Sequence, residues 1–372
     1  MRPIVVTVCG DPGGANAISP VLQLLADEHQ VQLINYSYNQ AVGVLQRNNI
    51  NTIPLLSHAS EDFALNVLRK YNPLLLLTAT SVNEKDWEKL FIFSARKLSI
   101  YSIAIVDFWS NYAARFSDKK GSLCSLPNKI ALMDEFAKTE IMADGIPAER
   151  IIITGQPAFD ALMQHYEQFT QAKKQAIRMT LEVSDNDLLV MFVSQPLRKL
   201  YGDRADPRYL GYDEDSTLNY IISSLEDICR TDNKKITFLI RPHPQESVVE
   251  YRQYQSNMIK IVVSVEGNNR DYVMAADLVL GMTSVLLVEA CYLKCVVLSL
   301  QLGLCKSDVL PTNRWGVSIP IYREDEVLPM LKKYLFDHKA REAILAKELA
   351  ISNSASRQVV DYVYSEIKQF QY

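Results

Sequence analysis

Ile4–Cys9 is apolar along its whole length rather than at alternate positions. A strand of that pattern must bury both faces, which is the situation in a parallel sheet covered by helices. The pattern recurs at Val31–Tyr36, Leu74–Thr78, Ile100–Val106, Lys129–Met133 and Arg150–Thr154. Helical stretches at Ala41–Arg47, Ser60–Lys70, Lys85–Lys97 and Asp134–Ala143 alternate with these strands. A second series follows: strands at Leu188–Ser194, Ile236–Ile240, Lys260–Val265, Leu278–Gly281 and Cys295–Leu300, with helices at Leu218–Cys229 and Arg270–Ala276. Helices then fill Glu324–Leu335, Lys339–Leu349 and Ala355–Gln369. This alternation predicts an α/β protein with two Rossmann-like parallel-sheet domains and ligands at the carboxyl ends of the strands. The 372 residues are enough for each domain to bury its own core. The N-terminal domain is expected at 1–157, a polar linker helix at 158–184 (helical from about Ala158 to Thr180), the C-terminal domain at 185–350 and a last helix at 351–372.

The net charge of −4 provides no basic field for nucleic acid. Six cysteines are scattered without zinc spacing and five histidines are dispersed, so no metal is expected. Reduced thiols of a cytoplasmic protein fit this usage. The first apolar run is too short for a signal peptide, and no run has membrane-spanning length. Peripheral contact with a membrane surface stays open, as does the oligomeric state.

Five places carry candidate chemistry. Gly10-Asp11-Pro12-Gly13-Gly14-Ala15-Asn16 follows the first strand, and Gly13, Gly14 and Asn16 would let a ligand approach the backbone. The spacing is not Gly-x-Gly-x-x-Gly, so no NAD site is expected, and a ligand-free tight turn fits too. Asp107, Trp109, Tyr112 and Arg115 lie just past another strand, where aromatic faces with a few polar groups suit a sugar or acceptor; aromatics packed on the domain would look the same. The polar stretch Leu197–Asp215 holds Arg198, Lys199, Arg204, Arg208 and three tyrosines, and reads as a long loop, a candidate lid or acceptor contact, with disorder as the alternative. Arg241-Pro242-His243-Pro244 ends a strand, with His243 placed to donate to a phosphate or move a proton. Finally, Asp277–Gly281 runs into Met282-Thr283-Ser284, where a helix start would offer N–H groups to an anion. Glu289, about one and a half turns on, would accept two ribose hydroxyls. A capped helix with a salt-bridged Glu is the alternative. Ser194, at another strand end, joins this donor-binding set.

In order along the chain, these motifs resemble the GT-B superfamily of nucleotide-sugar glycosyltransferases. Within it they are similar to the group of UDP-N-acetylglucosamine 2-epimerases, CDP-glycerol glycerophosphotransferases and bacterial polysialyltransferases. Ile153-Thr154-Gly155-Gln156-Pro157-Ala158-Phe159-Asp160 resembles the TGNPxxD segment. Arg241–Pro244 resembles the histidine–proline motif, Gly281–Ser284 the serine/threonine pair and Val288-Glu289-Ala290 the glutamate motif. The resemblance implies two Rossmann-like domains facing a cleft, a C-terminal helix crossing back to the first domain, a donor held by the second domain and an acceptor by the first. It implies no cofactor and no metal, because Arg241, His243 and the Thr283/Ser284 helix end can offset phosphate charge. The expected partners are a nucleotide-sugar (UDP or CMP) as substrate and a glycan or small-molecule acceptor. Asp11 is the first choice for general base and Asp107 the second, with His243 as a further catalytic candidate. The paired-acid-plus-glycine motif of sialyltransferase-like groups is absent, and the full charged set of an epimerase is not located. The leading expectation is a glycosyltransferase of polysaccharide biosynthesis, moving a sugar or polyol phosphate. A UDP-sugar 2-epimerase or hydrolase using the same cleft, and a non-catalytic binding protein of the same fold, are the alternatives.

Overall fold

The protein, seen in a computed structural model, is described over residues 2–55, 58–82, 87–347, 349 and 354–370. It divides into two compact units, Met1–Ala161 with Ile351–Tyr372, and Leu162–Ala350.

The first unit holds strands β1 (Ile4–Cys9), β2 (Gln32–Ser37), β3 (Ile53–Pro54), β4 (Leu75–Thr78), β5 (Tyr101–Ile105), β6 (Lys129–Leu132) and β7 (Ile151–Ile153). They form one sheet in the order β3-β2-β1-β4-β5-β6-β7, every neighbour parallel. The second unit holds β8 (Leu188–Val193), β9 (Ile236–Arg241), β10 (Lys260–Val263), β11 (Leu278–Gly281), β12 (Val297–Leu300) and β13 (Ile319–Ile321). Their order is β10-β9-β8-β11-β12-β13, again all parallel. Both units are therefore Rossmann-like α/β sheets, as the alternation predicts. In each the strand order reverses once, between β1 and β4 and between β8 and β11. Helices leave opposite faces there, which opens a crevice outside the carboxyl ends.

The apolar runs form strands because both sheet faces are covered. β4 and β11 are buried at all four positions, and β1 and β8 at the last five of six. Ile18, Val21, Leu22 and Leu25 of helix Pro12–Asp27 share the first core with Val359, Val360, Val363 and Ile367 of the last helix, Ala355–Gln369. Asp160 accepts from the Ala355 and Ser356 backbone N–H groups at 2.9 and 2.7 Å. That bond gives the aspartate of the Gly155–Asp160 motif a structural task. It satisfies the first amides of the last helix and places a carboxylate at its positive end.

Two local expectations are corrected. The single helix from Ala158 to Thr180 is two, Asp160–Gln168 and Gln171–Thr180, after a 3-10 turn at Pro157–Phe159. Thr170 accepts from the Lys173 amide at 3.2 Å and starts the second one afresh. The stretch Leu197–Asp215 is not all loop: Leu197–Tyr201 is helical, and Asp213 with Ser216 forms the capping box of helix Glu214–Asp232. Strands β3 and β13, of two and three residues, are too short to leave a pattern in the sequence. The start of the Lys85–Lys97 expectation lies outside the described residues, and its helix is described from Trp87 to Lys97. Among the described residues no helix is long and apolar enough to cross a membrane.

Candidate functional sites at the strand ends of the two units

In the second unit Ser194 and Gln195 follow β8, and Met282, Thr283 and Ser284 follow its neighbour β11. Helix Val285–Tyr292 begins there with Ser284 as its N-cap, whose Oγ accepts from the Leu286 amide at 3.2 Å. The Thr283 N–H is already engaged. It donates to Gln195 Oε1 at 2.8 Å, and the Thr283 hydroxyl reaches the same oxygen at 3.2 Å. Met282 is fully buried and contributes its carbonyl, which accepts from Ser299 Oγ at 2.6 Å. Ser194 is buried too, with its hydroxyl 2.6 Å from that of Tyr251 and donating to Glu246 Oε1 at 3.1 Å. Met282 and Ser194 therefore shape the crevice from behind.

Glu246 organises the neighbouring strand end. Its second oxygen accepts from the His243 backbone N–H at 2.6 Å. The His243 ring accepts at Nδ1 from the Gln245 N–H at 3.2 Å, which leaves the ring proton of the neutral form on Nε2. Burial holds the His243 pKa below the usual value; Glu246 pulls it up and the Lys199 ammonium pushes it down. His243 is thus a neutral Nε2–H donor near pH 7, with Lys199 adding positive potential. Lys199, on the helix Leu197–Tyr201, is exposed.

Arg241 does not take the direct phosphate role expected of it. It is 4 % exposed, and its guanidinium donates to Asn269 Oδ1 at 2.6 and 2.9 Å, to the Glu266 carbonyl at 2.6 Å, and to Ser264 and Gly267. It also lies 4.7 Å from the centre of the Tyr272 ring. It fastens the loop after β10. Glu289 is the fifth residue of its helix and is held by Arg270 through two bonds of 3.0 and 3.1 Å. A carboxylate has about four acceptor positions, so this pair orients Glu289 and leaves lone pairs for hydroxyl donors.

The first unit is lined differently. Burial pushes the Cys9 thiol well up, and the Glu88, Asp107 and Asp11 carboxyls add to the shift in that order. Three carboxyls therefore act on the end of β1. Asp11 is the N-cap residue of helix Pro12–Asp27 and is half-buried. Asp107 pairs with Arg115 at 2.5 Å, and Arg115 also donates to Thr80 Oγ1 at 2.8 Å and the Ser110 carbonyl at 3.2 Å. Arg115 is 6 % exposed. Its place is beneath the surface as the counter-ion of Asp107, which corrects its assignment to an acceptor. The two glycines serve protein contacts. A methyl on Gly13 would lie 2.1 Å from Asp107 Oδ2, and one on Gly14 would lie 2.8 Å from Ala79 Cβ and 3.0 Å from the Thr80 carbonyl. Asn16 is exposed on the same helix.

Trp109 and Tyr112 are not an open aromatic platform. Trp109 is buried, donates to Asp134 at 2.6 Å and stacks on Phe159, while Tyr112 donates to Glu140 at 2.8 Å. Both tie the loop after β5 to helix Glu135–Ala143. Glu88, which sequence reasoning missed, is 2 % exposed. Its Oε2 accepts from the Tyr38 hydroxyl and, at 3.1 Å, from Ser81, whereas Oε1 is buried without a hydrogen-bond partner. Burial pushes its pKa up to about 7; Tyr38 opposes this and Asp11 adds to it. In the sequence Glu88 is one acid in a polar helix. Gln195, Glu246 and Arg270 were equally anonymous. Among the described residues no group of three or more His, Cys, Asp or Glu side chains is arranged to hold a metal.

Two Rossmann-like sheets spanning the chain find close counterparts among solved structures. UDP-GlcNAc 2-epimerase from Neisseria meningitidis, bound to UDP-GlcNAc, superposes with a TM-score of 0.69 over 97% of this chain and 100% of that one, at 16% identity. The S. aureus MnaA–UDP co-structure gives 0.70 over 99% and 97%, at 13% identity. A glycosyltransferase from Rickettsia africae gives 0.63 over 99% of both, at 12% identity. The chain has the GT-B fold. At these identities the likeness is one of fold, and the chemistry has to come from the sites. No protein-family description matches the sequence, and no curated protein sequence does.

Proposed function

We propose that this GT-B protein is an enzyme acting on a UDP-sugar without a separate acceptor, as a 2-epimerase or hydrolase. The observation that carries the reading is the strand-end chemistry: in the second unit available hydrogen-bond donors stand beside Glu246 and Glu289, and in the first the charged groups nearest the end of β1 are carboxyls. In the second, His243 Nε2–H, Lys199 and the Gln195–Thr283 pair suit a diphosphate, and the oriented Glu289 suits ribose hydroxyls. In the first, the Asp11, Asp107 and Glu88 carboxyls all act on the Cys9 thiol at the end of β1, and carboxyls are groups that can move protons on a sugar. Two carboxyls in different surroundings can divide the work of acid and base, and buried Glu88 differs sharply from half-buried Asp11. The fold likeness to UDP-GlcNAc 2-epimerases supports the same reading. No metal or cofactor is part of the proposal.

The second reading is transfer of the sugar to an acceptor hydroxyl, with Asp11 as base. It is favoured by the likeness to the Rickettsia glycosyltransferase. Incubation with UDP-GlcNAc alone, followed by proton NMR, separates the two. Inversion at C2 or release of UDP without acceptor is the expected result. An unchanged UDP-sugar that still binds by calorimetry would move the assignment to the transferase.

A further inference from the structure

Gln195 lies at the point where the second sheet reverses its strand order. It follows β8, and its side chain crosses to the end of β11. There its Oε1 takes the Thr283 N–H at 2.8 Å and the Thr283 hydroxyl at 3.2 Å. The orientation of the amide is fixed by chemistry. A backbone N–H can only donate, so the carbonyl end must face it and the NH₂ end must face away. That NH₂ has no acceptor among the described residues, nor is it a buried orphan, so it is open to solvent. The Thr283 N–H, the group an anion would be expected to seek, is already taken. The neighbouring strand β9 runs into His243, whose ring feels the Lys199 charge.

We propose that Gln195 is the residue that meets the diphosphate at this crevice, donating through its NH₂, and that Thr283 serves to hold the amide rather than to bind the anion. The inference rests on the nucleotide reading above and adds a specificity residue to it. Gln195 carries the donor about one amide length beyond the end of β11. The dipole of its C=O, polarised by the Thr283 N–H, strengthens the N–H bonds on its far side. An amide also discriminates by charge. It accepts from Thr283 and donates to the ligand at once, which no carboxylate can do.

Gln195→Glu is the test, with Gln195→Met as a second variant. In the Glu variant one carboxylate oxygen still accepts from Thr283, so the local fold is retained and the melting temperature should stay close to that of the wild type. The other oxygen places an acceptor and a charge where the ligand needs a donor. Titration calorimetry with UDP, inorganic pyrophosphate and uridine should show UDP and pyrophosphate weakened about tenfold or more, and uridine unchanged. The Met variant, lacking the donor but not adding charge, should lose UDP affinity by a smaller factor. UDP affinity in the Glu variant within twofold of wild type would overturn the inference while leaving the nucleotide site standing. A fall in uridine affinity matching that of UDP would also overturn it, because the amide would then be a support for the whole site. If the wild type binds neither UDP nor pyrophosphate, the nucleotide reading fails and the inference fails with it.

Discussion

The two units repeat one architecture and line its ligand end with different chemistry. At the carboxyl end of the first sheet the polar side chains mostly answer one another: Asp107 with Arg115, Glu88 with Tyr38 and Ser81, Trp109 with Asp134, Tyr112 with Glu140. At the same place in the second sheet the inner layer is also closed, by Arg241 on Asn269 and Ser194 on Glu246. An outer layer remains there, in the His243 ring, the Lys199 ammonium and the Gln195 amide. A carboxyl needs a counter-ion or hydrogen-bond donors to sit in a crevice at all, because burying it alone costs several kcal/mol. A donor left at the solvent edge carries no such requirement, because water satisfies it. The polar groups of the first unit are therefore largely paired with one another, and the second keeps donors in reserve.

The comparison makes graded predictions: substitutions in the first unit should move stability and pH dependence, and those in the outer layer of the second should move binding. The largest effect is expected for Arg115→Ala, which leaves Asp107 without its partner at a site where both are largely buried; about 3 kcal/mol should be lost in chemical denaturation. A loss under about 1 kcal/mol would mean the first unit is not locked as described. Glu88→Gln should act through pH. With its folded pKa near 7, above the ordinary 4.5, the fold favours protonated Glu88. The stabilisation is fully present below pH 4.5, is lost as pH rises toward 7 and is constant above it. The wild type should lose on the order of 3 kcal/mol across that window from this group, and the Gln variant should not. Parallel stability–pH curves for the two proteins would sink the assignment.

Arg241→Met sharpens the comparison inside the second unit. It should cost about 2 kcal/mol by orphaning the Glu266 carbonyl and Asn269, whereas His243→Ala should leave stability within about 0.5 kcal/mol and weaken UDP about tenfold in calorimetry. Equal losses of stability for the two would erase the distinction between inner and outer layers. The smallest effect is expected for Trp109→Phe. It removes the bond to Asp134 but keeps the stack on Phe159, for about 1 kcal/mol and no change in UDP affinity.

The fold was legible in the sequence to a large extent, and the reason is local. A run such as Ile4–Cys9 or Leu188–Val193 has few ways to hide both faces, and the alternation with helices leaves a parallel sheet as the solution. Helix starts with strong caps, such as Ser60 and Ser284, were legible for the same reason. The position of His243 and of the Thr283–Ser284 turn just past strand ends was legible too. Sequence could not say which polar groups would still have hydrogen bonds to give. Arg241 and His243 are two residues apart on one strand end, yet one is bound on all sides and the other keeps Nε2 available. Trp109 and Asp134 are distant in sequence and meet only because β5 and β6 are neighbours. Glu88 reached a pKa near 7 because tertiary packing buried it beside Asp11, and Gln195 became a candidate ligand contact because β8 and β11 pair across the reversal of strand order. Strand and helix follow from the order of apolar and polar residues along the chain. The protonation and remaining donor capacity of a side chain depend on neighbours that only the folded chain brings near.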